Sequence, residues 1–302
     1  MPSGFRTSCG NHLVKRIHAP SNLEFVRVVC VCEKRGGEAW KLAARRVPRC
    51  IRASEYLLVC PDEQVLGFRA ITPACWVIRP ESEFLGGRDK ADFDKIGLYP
   101  GGVGWYLQQI VKLQAAVDSR LDVSGVVLIW DADTVPLRTL NFIDEDGRLI
   151  HFAGQERHLP YFETMDRMLG LRRQVDYSFI AQCLAVRVSW VREFAAAIEN
   201  ASAQELASAV FSQWQGRVKG GEFSEYEMLG NFAMSRHRDG MIKTDAPWIR
   251  DAGLAARPKA GGIWCNLLLG LLATKYCYAS FERWHRPSLS GALGILRKTL
   301  HS

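Results

Sequence analysis

Short apolar runs bounded by charged or turn-forming residues recur along the first half of the chain. The most continuous is Val126-Val127-Leu128-Ile129-Trp130. Five apolar residues in a row, three of them β-branched, predict a strand buried on both faces, as in a parallel sheet. Glu24 to Cys32, Tyr56 to Cys60 and Ala74 to Ile78 predict three earlier strands, the last two closed by Pro61-Asp62 and Arg79-Pro80. Glu38 to Cys50 has helical spacing, with Trp40, Leu42 and Ala43 on its apolar face and Pro48 marking its end. Gly104 to Ala116 predicts a second helix, with Tyr106, Gln109, Ile110 and Leu113 on one face and Leu107, Val111 and Gln114 beside it. Strands alternating with helices predict βαβ units and a mostly parallel sheet flanked by helices. Phe84 to Gly104, rich in Gly, Asp and Lys and without a period, is expected to be a loop.

The second half is less regular. Leu149 to Ala153 predicts a short strand, and Leu159 to Leu171 a helix with Gly170 at its end. Tyr177 to Val188 is an apolar, strand-like run, and Trp190 to Ala209 an alanine-rich helix. Ser224 opens a further helix, and beyond Pro258 the chain turns helical and basic. The longest apolar stretch, Ile263 to Phe281, is interrupted by Asn266, Thr274 and Lys275. A membrane span takes about 20 predominantly apolar residues, so a buried helix is expected there. No internal repeat or low-complexity segment is present.

At 302 residues, with 48% apolar and 24% charged residues, the composition is that of an ordinary globular protein, long enough for one large domain. The net charge is +7, and Lys and Arg are spread along the whole chain rather than clustered in blocks. That favours an anionic small molecule, or an acidic membrane surface, over nucleic acid, and no zinc-finger or RNA-recognition signature argues otherwise. The nine cysteines are odd in number and sit mostly in apolar runs, as free thiols do in a reducing cytosol. Cys30 and Cys32 form the only close pair, with no second pair to complete a zinc site. Met1 to Pro20 is polar and basic and lacks the apolar centre of a signal peptide, so a cytoplasmic setting is expected.

The candidate chemistry lies where the central strand ends, in Asp131-Ala132-Asp133-Thr134-Val135-Pro136. In open α/β sheets, ligands bind beyond the carboxyl ends of the strands. Three explanations fit two acids at that place. They can hold Mg²⁺ or Mn²⁺ against a diphosphate, since hard cations take one or two carboxylates plus phosphate and water. They can form the opening motif of a haloacid-dehalogenase-like phosphatase with Asp131 as nucleophile. They can simply be a turn, Asp131 or Asp133 bonding nearby backbone amides. The dry strand before them places the metal site first. Three strands precede the motif and no Gly-Asp-x-x-x-Asp segment follows it, which places the phosphatase last.

Leu128-Ile129-Trp130-Asp131-Ala132-Asp133 resembles the Asp-x-Asp strand of GT-A glycosyltransferases. Gly104 to Leu113, Ser178 to Gln182 and Ser224 to Asn231 are similar, in the expected order, to the blocks of a bacterial family catalogued as a domain of unknown function and thought to be glycosyltransferase-like. The resemblance implies a GT-A-like (Rossmann-like) α/β fold, a nucleoside-diphosphate-sugar donor, a UDP-sugar first among them, and a divalent metal. The implied acceptor is a hydroxyl on a bacterial surface glycan or its lipid-linked precursor. A catalytically inactive GT-A-like binding domain is a further alternative.

Carried over by position, Asp133 binds the metal, and Asp131 contacts the nucleotide ribose or reaches the metal through water. A histidine near the C-terminus often completes such sites, and His285 is the candidate, with His237 as fallback; a lone histidine is more often structural. Ser224 and Glu227 have capping-box spacing, which leaves Glu225 free as a general base, Glu227 being the second candidate. Lys112 is either a solvated helix lysine or a donor-phosphate contact. Gln109 and Trp105 serve either the donor site or helix packing. Asp176 and Gln182 are candidate sugar contacts. The expected layout is an extension over 1–22, a catalytic domain over 23–254 and a C-terminal helical region over 255–302. The catalytic domain divides into a nucleotide-binding half (about 24–133) and an acceptor half (about 134–254). The tail from Leu289, with Leu293, Ile295 and Leu296 beside Arg297, Lys298 and His301, is mildly amphipathic and suits contact with an anionic membrane.

Overall fold

The computed structural model describes residues 25–88, 90–94, 103–212 and 221–300. The extension over 1–22, Cys9, Glu24 and His301 lie outside these. The first half alternates as its apolar pattern requires: β1 (Arg27–Val31), α1 (Gly37–Cys50), β2 (Tyr56–Cys60), α2 (Val65–Ile71), β3 (Trp76–Pro80), α3 (Lys90–Asp94), α4 (Val103–Ala116) and β4 (Val126–Trp130). There follow β5 (Thr134–Pro136), β6 (Leu149–His151), α5 (Leu159–Leu169), β7 (Cys183–Arg187), α6 (Val188–Ser202), α7 (Leu206–Ser212) and α8 (Glu225–Arg236). The chain ends with β8 (Met241–Lys243), α9 (Ile263–Leu272), β9 (Tyr278–Ser280) and α10 (Leu289–Leu300).

Five strands form the central sheet in the order β3-β2-β1-β4-β7. The first four run parallel and β7 is antiparallel to β4, with Trp130 opposite Cys183. This is the mixed, mostly parallel α/β sheet expected from the alternation. β4 is fully buried along its length, as a strand flanked by neighbours and covered on both faces must be. Two short pairs, β5 with β9 and β6 with β8, form separate two-stranded sheets.

Two helices show how side chains fix the layers. α1 turns Trp40, Ala43, Ala44 and Val47 inward. Trp40 meets Trp76 edge-on at 4.6 Å, and each indole N–H is satisfied, Trp40 by Thr72 and Trp76 by the Ala44 carbonyl. α4 lies against β1 and β4 and buries Leu107, Ile110, Val111 and Leu113. It also buries Gln109 and Lys112, which a surface helix would leave wet. Arg27, buried inside β1, bonds Glu55, Asp118 and the Ala115 carbonyl.

The irregular second half departs from its pattern in definite ways. Tyr177 to Val188 is a strand only from Cys183, because Gln182 takes a left-handed backbone (φ 63°) that a strand cannot contain. The expected helix from Trp190 to Ala209 breaks into α6 and α7 at Ala203, which is also left-handed (φ 54°). Within the expected loop over 84–104, Phe93 anchors α3 by stacking on Phe211 at 4.7 Å. Ile263 to Phe281 is not one buried helix. α9 buries only Cys265, Leu269 and Leu272, and the chain then turns into β9, whose pairing with β5 claims the rest of the run. Pro48 lies inside the last turn of α1 rather than ending it. No helix of the described residues is long and apolar enough to cross a membrane.

Candidate active site

β4 delivers Asp131 and Asp133 to the carboxyl end of the sheet. The Asp131 N–H bonds the Gln182 carbonyl at 2.9 Å, and the Thr134 N–H bonds the Asp131 carbonyl at 3.0 Å. The backbone thus makes the tight turn that the bland explanation expects. The two side chains, however, have unlike surroundings.

Asp131 is neutralised from within. Its Oδ1 accepts from the Lys112 ammonium and, at 2.8 Å, from the Tyr226 hydroxyl. Lys112 Nζ also donates to Glu225 Oε1 at 2.7 Å and lies 4.7 Å from the centre of the Tyr226 ring. Burial alone would pull this ammonium down, but Asp131 and Glu225 outweigh it and hold its pKa above the usual lysine range. Gln109 completes the cluster, accepting the Glu225 N–H at 2.9 Å and donating to the Trp105 carbonyl at 3.3 Å. The first turn of α8 is therefore capped by a side chain of α4.

Among the described residues, Asp133 forms no ion pair with such a cation. Its Oδ1 lies 3.4 Å from the hydroxyls of Thr134 and Ser280, and the Phe281 N–H bonds its carbonyl at 2.9 Å. Burial, then the Asp131 charge, push its carboxyl up to about 6, against a smaller opposing pull from Lys112. Two long hydroxyl contacts leave this half-buried charge largely uncompensated, and a cation would relieve that cost. Asp131 and Asp133 offer the oxygen donors that a hard divalent ion takes, the remainder coming from phosphate and water. The residues present thus fit Mn²⁺ or Mg²⁺. Among the described residues, no three of His, Cys, Asp and Glu converge on one ion position.

His285, the expected third ligand, is half-buried beside Glu282. Its Nε2 lies 3.4 Å from Glu282 Oε2 and 3.8 Å from Asp251 Oδ1, and its buried Nδ1 has no hydrogen-bond partner among the described residues. His237 stacks on Trp190 and bonds Glu193 at 2.7 Å, on α6 and the end of α8, a structural position. Asp176 is exposed and not among the groups on Asp131. Trp105 is half-exposed, and its ring packs against Gly221, where a Cβ would stand 2.2 Å from Cζ3.

The two candidate bases are not free. Ser224 caps α8, its Oγ accepting the Glu227 N–H at 3.4 Å. Glu227 does not reach back to complete the box. It turns to the Phe179 N–H at 3.3 Å and the Asn231 amide at 3.2 Å. Glu225 is 4% exposed and committed to Lys112. Burial raises the pKa of both. Both carboxylates are thus engaged within the protein, Glu225 with Lys112 and Glu227 with Phe179 and Asn231.

Several site residues escaped the sequence. Tyr226, between the two glutamates, reaches Asp131. Glu282, 4% exposed, accepts from Gln182 Nε2 at 3.3 Å and Arg250 Nε at 2.7 Å, and Arg250 in turn holds Glu156 at 2.6 Å. Burial raises the Glu282 carboxyl to about 7, opposed by Arg250 and supported by Asp133. Gln182 thus carries a left-handed backbone costing about 1–2 kcal/mol, with its carbonyl on Asp131 and its amide on Glu282. The signal available in the sequence was the carboxylate of Phe281-Glu282-Arg283, three residues before His285.

Among solved structures, the chain is similar to mouse xyloside xylosyltransferase 1 in its apo form, with 7% identity over 84% of this chain and 96% of that one (TM-score 0.43). It is similar to the WbbM bifunctional glycosyltransferase, with 11% identity over 94% of this chain and 51% of that one (TM-score 0.44). An active-site mutant of LgtC matches with 12% identity over 91% of this chain and 96% of that one (TM-score 0.46). Likeness at this level assigns no residue a role. No curated protein matches the sequence. The model of a family of unknown function, DUF6492, matches residues 49–258, a span that holds both aspartates, Lys112, Gln182 and all of α8. The chain belongs to that family.

Proposed function

We propose that the protein is a metal-dependent glycosyltransferase that moves a sugar from a nucleoside-diphosphate donor, a UDP-sugar first among them, to a hydroxyl acceptor. The proposed acceptor is a bacterial surface glycan or its lipid-linked precursor, and the proposed setting is the cytoplasm. One observation carries the proposal. Of two carboxylates at the dry end of the central strand, Lys112 neutralises Asp131, while Asp133 forms no ion pair among the described residues. The resemblance of the Asp-x-Asp strand and its flanking blocks to glycosyltransferase sequences supports the same assignment.

Asp133, with Asp131, would hold Mn²⁺ or Mg²⁺, which neutralises the diphosphate as it leaves. The protein's own residues do the positioning. Lys112 and Tyr226 fix one oxygen of Asp131, leaving the other to a ribose hydroxyl or a metal-bound water. Glu225 and Gln109 hold Lys112 and the start of α8 in place. Gln182, its amide held by Glu282 and its carbonyl by the Asp131 N–H, would help to position the transferred sugar. Catalysis in this arrangement rests on leaving-group stabilisation and orientation rather than on Glu225 or Glu227 as a base. No observation favours the phosphatase.

Thermal unfolding with UDP, GDP and CDP, with and without Mn²⁺, tests the assignment. A diphosphate present at 100-fold its Kd stabilises by about 2.7 kcal/mol, and that gain is expected only with Mn²⁺. Asp133→Ala is expected to abolish it, and metal-dependent binding that survives Asp133→Ala overturns the assignment. Metal-dependent release of phosphate from a generic ester, lost in Asp131→Asn, would establish the phosphatase instead. Absence of Mn²⁺-dependent protection by all three nucleotides would leave a binding domain.

A further inference from the structure

Single apolar side chains on a protein surface are ordinary, but a group of them marks a contact. Here Ile263, Trp264, Leu267, Trp284, Leu289 and Leu293 are all exposed, with Trp264 at 77%, Trp284 at 65% and Leu289 at 79%. All six lie on α9, on α10 or between them. α9 buries the stripe of Cys265, Leu269 and Leu272, while Ile263, Trp264 and Leu267 stand in solvent. α10 buries only Ile295 and Thr299, so the apolar face expected of the tail is split: Ile295 points into the core and Leu293 outward. The two helices are tied where Lys275 Nζ (2.6 Å) and the Tyr276 hydroxyl (3.0 Å) both bond the Lys298 carbonyl.

Charge identifies what covers these side chains. From residue 255 to the end, the sequence has seven Lys and Arg against one acid, Glu282, which is buried. These residues carry +6 of the chain's net +7. Arg257, Lys259, Arg286 and Arg297 are exposed and form no ion pair among the described residues. A second copy of the chain would bring like charges together on the same face. Exposed tryptophan and leucine interspersed with unpaired cations suit an interface that is apolar below and anionic above.

We propose that the face formed by α9, Trp284 and α10 docks on an anionic phospholipid bilayer, with the apolar side chains entering the headgroup boundary and the cations meeting lipid phosphates. Neither helix spans the bilayer; both lie on it. The proposal stands apart from glycosyl transfer, because it needs neither donor nor metal.

Flotation of the full chain with phosphatidylcholine vesicles, with and without phosphatidylglycerol, tests it. Binding is expected only with phosphatidylglycerol and is expected to fall with added salt. Combining Arg257→Glu, Lys259→Glu, Arg286→Glu and Arg297→Glu is expected to weaken it about a hundredfold or more. Combining Trp264→Ala, Leu267→Ala and Trp284→Ala is expected to abolish stable flotation, with circular dichroism unchanged in both variants. No flotation with phosphatidylglycerol overturns the proposal, as does undiminished flotation of the Trp/Leu variant. A dimer in solution that the Trp/Leu variant converts to monomer also overturns it, by assigning the face to self-association.

Discussion

At the scale of single residues, Lys112 decides the character of the site. A lysine on a helix is normally solvated, and helical spacing alone gives no reason to bury this one. What buries it is the arrival of α8 from more than a hundred residues later, which brings Glu225 and Tyr226 onto it. Removing one member of a buried ionic group leaves the others unpaired, at a cost of about 3–5 kcal/mol. Lys112→Met is expected to lower stability by that order in urea unfolding, and adding Glu225→Gln is expected to recover part of the loss. A solvated lysine would show neither effect. Asp131 and Asp133 were legible because an apolar strand ends on them. Glu282 was not, because a lone acid in a loop belongs to no period and its partners Gln182 and Arg250 come from distant segments.

At the scale of elements, α8 shows why some positions cannot be read from propensity. A glycine inside a helix ordinarily weakens it. Gly230 is there because α8 presses on Phe179, and a Cβ at that position would stand 2.2 Å from the ring. Gly230→Ala is expected to destabilise by about 1–3 kcal/mol through overpacking, against the gain that helix propensity alone would give, as read from the midpoint of thermal unfolding. The loops after the parallel strands carry a second element-scale effect. Glu33, Asp62, Glu63 and Glu81 follow β1, β2 and β3, and burial, then its acidic neighbours, push Glu81 up to about 7. With the folded value above the unfolded one near 4.5, the folded state keeps a proton that the unfolded state has lost. Stability from this group is therefore full below about 4.5 and declines as pH rises to about 7. Glu81→Gln is expected to flatten that decline by about 1–2 kcal/mol, part of the effect being screened by water.

At the scale of the whole molecule, one continuous core runs from Phe25 to Ile295. The four parallel strands were legible because each is built on a short apolar run, three residues long in β3 and four or five in the others. β5, β8 and β9 have three residues each, too few to show an alternation, and they exist only through pairing. The last of them matters most, because β9 closes β5 and brings Ser280, Phe281 and Glu282 to the aspartates. A chain ending at residue 254 is expected to lose cooperative unfolding in circular dichroism, since its removal uncovers Val135 and strips Asp133 of the Ser280 hydroxyl and the Phe281 N–H.

Ser280 follows Asp133 by 147 residues. During synthesis the parallel sheet can assemble and the two aspartates can emerge from the ribosome long before the segment that encloses them exists. Until Ser280 and Phe281 have been made, the acidic pair lacks the partners that hold Asp133. A chain stopped before Ser280 would carry every residue of the Asp-x-Asp strand and still lack the hydroxyl and the N–H that hold Asp133.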